Sequence, residues 1–163
     1  MKTLIVFIVG LIAAPILFGV LAVAGFLPSD AASEPPKWES SIGMRALDAS
    51  LEKRSDRFKN PVAANDSAAT GAGQKIYDDN CAGCHGSAKG PSTWGAKGLY
   101  PRAPQFFQEG SDVDPKEAYA AIRDGVRYSG MGAWRDQMKD DDMWKVANFV
   151  ARLRGNGTMK DMD

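Results

Sequence analysis

The chain opens on an uninterrupted apolar run, then passes through a broken polar stretch into segments with helical periodicity. From Leu4 to Leu27, just after Lys2 and Thr3, no side chain is charged or strongly polar. As a helix at about 1.5 Å per residue this run reaches roughly 36 Å, enough to cross a hydrocarbon core of about 30 Å. A cleavable export signal has an apolar core of only about 7–15 residues. Length therefore favours a retained anchor over residues 1–27. The alternative is a cleaved signal, for which Ala22-Val23-Ala24 offers a small-x-small site, although no polar region sets that triplet apart. Pro15 sits mid-span, where bilayer helices tolerate it. Gly10 and Ala14 form a small-xxx-small pair that ordinary bilayer composition accounts for.

Residues 28–70 read as a linker. Pro28 and Pro35-Pro36 break structure, and a helix follows from about 41 to 58, where Met44, Leu47, Leu51 and Phe58 are spaced 3, 4 and 7 apart. That spacing makes a narrow apolar stripe on a charged segment. It suits a helix lying on its own domain or a solvated spacer; the other reading is a docking helix for another subunit. Asn60-Pro61 ends it, and residues 63–73 form a small-residue lead-in with Ser67 or Thr70 as N-cap.

A second domain is expected over 71–155. Gln74 to Asn80 reads as helix, and residues 86–115, rich in Gly and Pro, as loops. Pro115 opens a helix through about Asp124. Asp140 to Leu153 is the clearest helix: acidic residues crowd its start and arginines its end, matching the macrodipole. Met143, Val146, Phe149, Val150 and Leu153 line one of its faces. No strand-like alternation is evident, so the expected fold is all-α with long loops, closing in a polar tail at 156–163.

Composition narrows the function. The 163 residues carry 20 basic and 20 acidic side chains, which gives no footing for a nucleic-acid partner. The hydrophobic share of 44% and charged share of 25% are those of a globular chain. There are two Cys and one His, all within Cys81-Ala-Gly-Cys84-His85. One cysteine pair excludes a disulfide-stapled scaffold, and one histidine excludes any site needing two imidazoles. A structural zinc site wants four N or S ligands, and Cys and His supply three. A thioredoxin-like dithiol belongs in a βαβ context that the chain lacks.

Cys-x-x-Cys-His is the attachment pattern for c-type haem. Two cysteines three apart reach the two porphyrin vinyl groups and form thioethers, and the next residue brings its imidazole to the iron. Cys81 and Cys84 would bond one haem c, and His85 would ligate its iron.

The surroundings of this motif resemble a class I cytochrome c over residues 71–154. The matching elements are Gly73-x-x-x-Tyr77-x-x-x-Cys81, Cys81-Ala-Gly-Cys84-His85-Gly86, the loop Gly125-x-x-x-x-Gly130-Met131-Gly132-Ala133-Trp134, and Asp142 to Val150 as the last helix. The resemblance implies that the first and last helices cross closely, with Gly73 permitting the approach and Tyr77 packed on Val146 and Phe149. It implies Met131 as the second axial ligand, in a flexible loop 46 residues after His85, with Met138 as the fallback. The family commonly has Pro after this Met, where this chain has Gly132. It further implies that a Pro carbonyl in the loop after the motif accepts the His85 Nδ1–H; Pro104 is the better candidate and Pro101 the alternative. Phe106, Trp94, Tyr100, Tyr128 and Trp134 are candidates to line the pocket. Arg102, Arg123 and Arg127 are candidates for the propionates or for a solvated surface.

His/Met ligation leaves no open position on the iron, so the implied role is single-electron transfer, with no catalytic residue and no small-molecule substrate. The expected setting is the cytoplasmic membrane, crossed once, with the haem domain on the periplasmic or outer face. The expected partners are a quinol-oxidising complex and a terminal oxidase or reductase. Two other functions stay open: a fixed haem subunit of a larger membrane oxidoreductase, and a haem sensor or peroxidase-like enzyme that releases Met131.

Overall fold

The computed structural model describes residues 2–63, 66–155 and 158–159, leaving aside the side chains of Ile5 and Thr158. The apolar run forms α1, Lys2–Val23, whose composition and length suit a membrane span or a signal sequence. The helix stops four residues before the apolar run does. Gly25 takes φ +81°, and the amides of Gly25 and Phe26 donate to Ala22 O and Leu21 O, a Schellman end that satisfies carbonyls no further turn would reach.

The remaining helices are α2, Lys37–Ser55; α3, Ser67–Asn80; α4, Ala82–His85; α5, Thr93–Lys97; α6, Phe106–Glu109; α7, Pro115–Asp124; and α8, Asp140–Val150. They build one unit from Ala31 onward. Capping explains several ends. The Asp66 carboxylate accepts from Ala69 N at 2.8 Å, so α3 begins there, seven residues before the expected start; neither Ser67 nor Thr70 is the cap. Asp114 and Glu117 form a reciprocal capping box ahead of Pro115 at the start of α7. Three aspartates fill the first turn of α8, as the macrodipole favours, but α8 ends at Val150 and the arginines fall beyond its last turn.

A short strand pair after α8 corrects the expectation of no strand. Leu153–Gly155 (β1) pairs antiparallel with Thr158–Met159 (β2), and Ser111 N donates to Leu153 O at 2.8 Å. Pieces of three and two residues are too short to show alternation in a sequence. Of the expected polar tail, only Thr158 and Met159 are described, and Met159 packs half-buried against the core.

The core sits between α3, α7 and α8. Met143, Trp144, Val146, Ala147, Phe149 and Val150 of α8 are buried. Trp144 stacks on Tyr119 of α7, with ring centroids 3.9 Å apart and planes 5° off parallel, and Phe58 meets Tyr119 edge-on at 4.8 Å. The tightest crossing is α3 against α8. A Cβ on Gly73 would lie 2.7 Å from the Lys145 carbonyl carbon, closer still to its oxygen, and 3.0 Å from Phe149 Cβ.

The segment expected as a linker is largely a layer of this unit. α2 starts at Lys37, right after Pro36, and packs on α7 with Leu47 and Leu51 half-buried, so it lies on its own domain. Arg57 pairs with Asp124 at 2.5 Å, and Arg54 donates to Gly125 O at 3.3 Å. Beyond α2, Asn60 and the buried Asn148 of α8 exchange side-chain amide bonds at 2.9 and 3.1 Å. Ahead of α2, Arg102 donates to Ala31 O at 2.9 Å and to Lys97 O, and pairs with Glu34 at 3.4 Å, while Tyr100 OH donates to Glu39 at 2.5 Å.

The crossing makes opposite predictions for two glycines of α3. Gly73→Ala meets backbone that cannot yield and should destabilise the chain by about 2–3 kcal/mol. Gly71→Ala has nothing within 4 Å and should gain about 0.5–1 kcal/mol. Chemical unfolding of the two variants beside the parent checks the sign of each.

Candidate functional site

The α3–α8 crossing places Tyr77, and Tyr77 places the cysteine–histidine motif. Its ring is fully buried against Phe149 at 5.4 Å and Phe107 at 5.7 Å. Its hydroxyl donates to the carbonyls of His85, at 3.1 Å, and Gly86, at 3.0 Å. Burial holds this phenol well above its ordinary pKa, so it remains a donor. The motif itself is a short turn of helix. Cys81 N donates to Tyr77 O and His85 N to Cys81 O, so α3 runs almost directly into α4. Gly86, at φ +74°, then turns the chain away.

Three further contacts fix α4 from the other side. The buried Gln105 donates through Nε2 to Cys84 O at 2.9 Å and Ala103 O at 2.8 Å, and its Oε1 accepts from Ser92 N at 2.7 Å. Ser92 Oγ donates to Gly83 O at 2.6 Å. Gly95 of α5 lies so close that a Cβ there would stand 2.7 Å from the Cys84 carbonyl carbon, closer still to its oxygen. Gln105 and Gly95 carry no sequence signal for this role, because their partners are backbone carbonyls distant in the chain.

His85 Nδ1 lies 2.9 Å from Pro104 O, and a carbonyl only accepts, so Nδ1 carries the proton and Nε2 keeps its lone pair. The ring stacks on Phe106 at 5.0 Å, 18° off parallel. Burial lowers the His85 pKa, against the opposing pull of the Pro104 bond, and this favours the neutral imidazole that binds metal. The Cys81 thiol is pushed up to about 12, by burial first and then by Cys84. A redox-active dithiol needs the opposite shift.

Met131 stands on a separate loop. Gly125, at φ +71°, packs against the returning backbone, where a Cβ would sit 2.9 Å from Ala133 N and 3.0 Å from Met131 O. Val126 N donates to Met131 O, Met131 N to Ser129 Oγ, and Trp134 N to Ile122 O. Met131 and Met138 are both half-buried against the core, whereas Met143 is wholly inside it and Met44 is exposed on α2. Gly130 abuts Leu99, so this loop touches the one that leads to Pro104. Of the three arginines considered for propionates, Arg102 holds residues 31–34, Arg123 pairs with Asp124 at 2.7 Å, and Arg127 is exposed.

This donor set fits a haem. Two thiols and an Nε2 with a free lone pair lie on one turn, while Trp94 and Tyr128 leave 59% and 89% of their surface open on elements that carry the site. Among the described residues no group of three or more His, Cys, Asp or Glu gathers to hold a bare metal ion. Residues 68–150, half of the chain, match the family model described as cytochrome c oxidase, cbb3-type, subunit III. The chain belongs to that family. It is a c-type cytochrome, and the family supports covalently bound haem c and redox protein partners. No curated protein matches it. Among solved structures, cytochrome cL from Methylophaga aminisulfidivorans is similar at 22% identity and TM-score 0.40, over 53% of this chain and 54% of its own. A reducing HAO-like protein complex from Kuenenia stuttgartiensis is similar at 22% identity and TM-score 0.46, over 58% and 47%. The chain thus spans about half the length of either.

The buried Gln105 should matter to this cytochrome as much as a core side chain does. Gln105→Ala strands the Cys84 and Ala103 carbonyls and the Ser92 amide, and should cost about 2–3 kcal/mol in unfolding of the haem-loaded chain. A loss near zero would show that water replaces the amide.

Proposed function

We propose that this cytochrome holds one haem through thioethers at Cys81 and Cys84, with His85 and Met131 as axial ligands, and carries single electrons. The observation that carries this reading is the 2.9 Å contact of His85 Nδ1 with Pro104 O. It orients the imidazole, fixes its tautomer and leaves the lone pair on Nε2. When bound, the haem supplies a one-electron ferric–ferrous couple. The residues around it serve to keep everything else still. Tyr77 and Gln105 hold the carbonyls of the motif, Gly95 closes on Cys84, and Pro104 keeps the proton on Nδ1, so a change of one charge finds little to rearrange. Met131 would supply a thioether as the second ligand, which would close the iron to small ligands and favour its reduced state. That favours transfer over catalysis or sensing.

The setting we propose is the cytoplasmic membrane, with α1 as a retained single span and the haem domain on the periplasmic face. There it would pass electrons from a quinol-oxidising complex to a terminal oxidase or reductase. Residues 71–155 would carry the haem, with α2 and its flanks layered on them and the chain ahead of Ala31 leading to the anchor.

One observation favours the second reading, a fixed subunit of a larger oxidoreductase. A flexible linker of about 45 residues would average near 35–40 Å and let the domain swing between partners. With Ala31, Glu34 and Glu39 held by Arg102 and Tyr100, the chain between α1 and the first of these is residues 24–30. Fully extended, that is roughly 25 Å. Such a reach suits a partner that stays alongside, as does a family named for an oxidase subunit.

Two measurements test these proposals. The ferrous spectrum of the intact chain should not change with carbon monoxide, and Met131→Ala should both bind it and lose the ferric Met–iron charge-transfer band. Met138→Ala should do neither; if it does and Met131→Ala does not, the ligand is Met138. Mild detergent extraction should bring down stoichiometric redox partners if the chain is a fixed subunit, and the cytochrome alone if it is a mobile carrier.

A further inference from the structure

α2 has two apolar faces, and among the described residues only one of them is covered. Leu47 and Leu51 face α7, and Arg54 reaches Gly125 O from the same side. Trp38 and Ile42, one turn apart, share the opposite face and leave 65% and 63% of their surface open. Arg45 and Ala49 continue that face at helical spacing, both exposed, with Lys37 beside it. In the first half the one acid, Glu39, is turned to Tyr100, which leaves Lys37 and Arg45 as its exposed charges, whereas Asp48, Glu52 and Lys53 are exposed in the second half. The end nearer α1 in the chain is therefore apolar and cationic, and the far end of mixed charge.

We infer that the first half of α2 is a lipid-contact surface: Trp38 and Ile42 enter the headgroup layer, and Lys37 and Arg45 meet lipid phosphates. The inference rests on the reading of α1 as a retained span. Three observations select lipid over a protein partner. Two apolar side chains fall far short of the roughly 800 Å² per partner that a stable protein interface needs. They suffice for a surface already held nearby, since a tether no longer than residues 24–30 makes the contact intramolecular in effect. Trp with flanking Lys and Arg is also the composition that settles at a membrane interface, where the indole is half in water and the cations face anionic headgroups. The haem domain would then be held against the bilayer by its own helix as well as by its tether.

The test uses the full-length, haem-loaded chain in vesicles of phosphatidylcholine with phosphatidylglycerol. Single cysteines at Leu11→Cys, Ile42→Cys and Lys53→Cys are spin-labelled; Cys81 and Cys84 are consumed by thioethers, and the unsubstituted chain reports any residual labelling. Collision with oxygen, which concentrates in lipid, is compared with collision with a water-soluble nickel chelate. The oxygen-to-nickel ratio should be high at 11, and several-fold higher at 42 than at 53. A high ratio at 11 with a low one at 42 overturns the lipid contact and leaves the anchor standing. A low ratio at 11 overturns both. A label at 42 reached by neither reagent means a second copy covers the face, which also overturns it.

Discussion

The approach of Gly73 to the Lys145 carbonyl is the constraint on which the rest of the fold hangs. With no side chain at that point, α3 and α8 cross closely enough for Tyr77 to be buried in the core, tilted against Phe149 and Phe107. The phenol then reaches through to the His85 and Gly86 carbonyls. One missing Cβ thus sets the height of the motif above the core. Any residue larger than Gly would push α3 outward and draw the hydroxyl away from those carbonyls.

The motif is held almost wholly by its backbone. Tyr77, Gln105, Ser92 and Gly95 all act on carbonyls of residues 83 to 86, leaving the Cys81, Cys84 and His85 side chains free for other bonds. Only His85 has a side-chain partner, and that partner occupies the nitrogen that would not face a metal. This division of labour is what a covalent cofactor needs. A site whose thiols and imidazole were tied to their neighbours would have to break those bonds first, whereas one built on carbonyls keeps its shape throughout.

How much of this was legible in the sequence depends on how local each cause is. The apolar run, the amphipathic face of α8 and the spacing of Cys81, Cys84 and His85 are set within a few residues and can be read directly. Gly73, Tyr77 and Pro104 were legible only through the resemblance of the segments around the motif to a known family. Gln105 and Gly95 were not, because nothing near them in the chain reveals that Cys84 O lies opposite. α2 shows a different kind of miss. Of its stripe, Leu47, Leu51 and Phe58 did find the domain while Met44 stays exposed, and Trp38 and Ile42 lie off that stripe, because periodicity searches for one face at a time. The hold of Arg102 on residues 31–34 was equally hidden, since one guanidinium gathering several distant backbone and side-chain oxygens has no sequence pattern.

The two sides of the candidate site are built to different rules. Residues 81 to 86 sit on a helix fastened from several directions, whereas Met131 sits in a loop pinned mainly to itself, pivoting on Gly125 and bordered by Gly130 and Gly132. Tyr128, in the same loop, takes φ 60° with its ring in solvent, a backbone state that an L side chain rarely holds without support. The contact of Gly130 with Leu99 ties this loop to the one carrying Arg102 and Pro104, so the segment that offers Met131 bears on the segment that steadies the His85 imidazole.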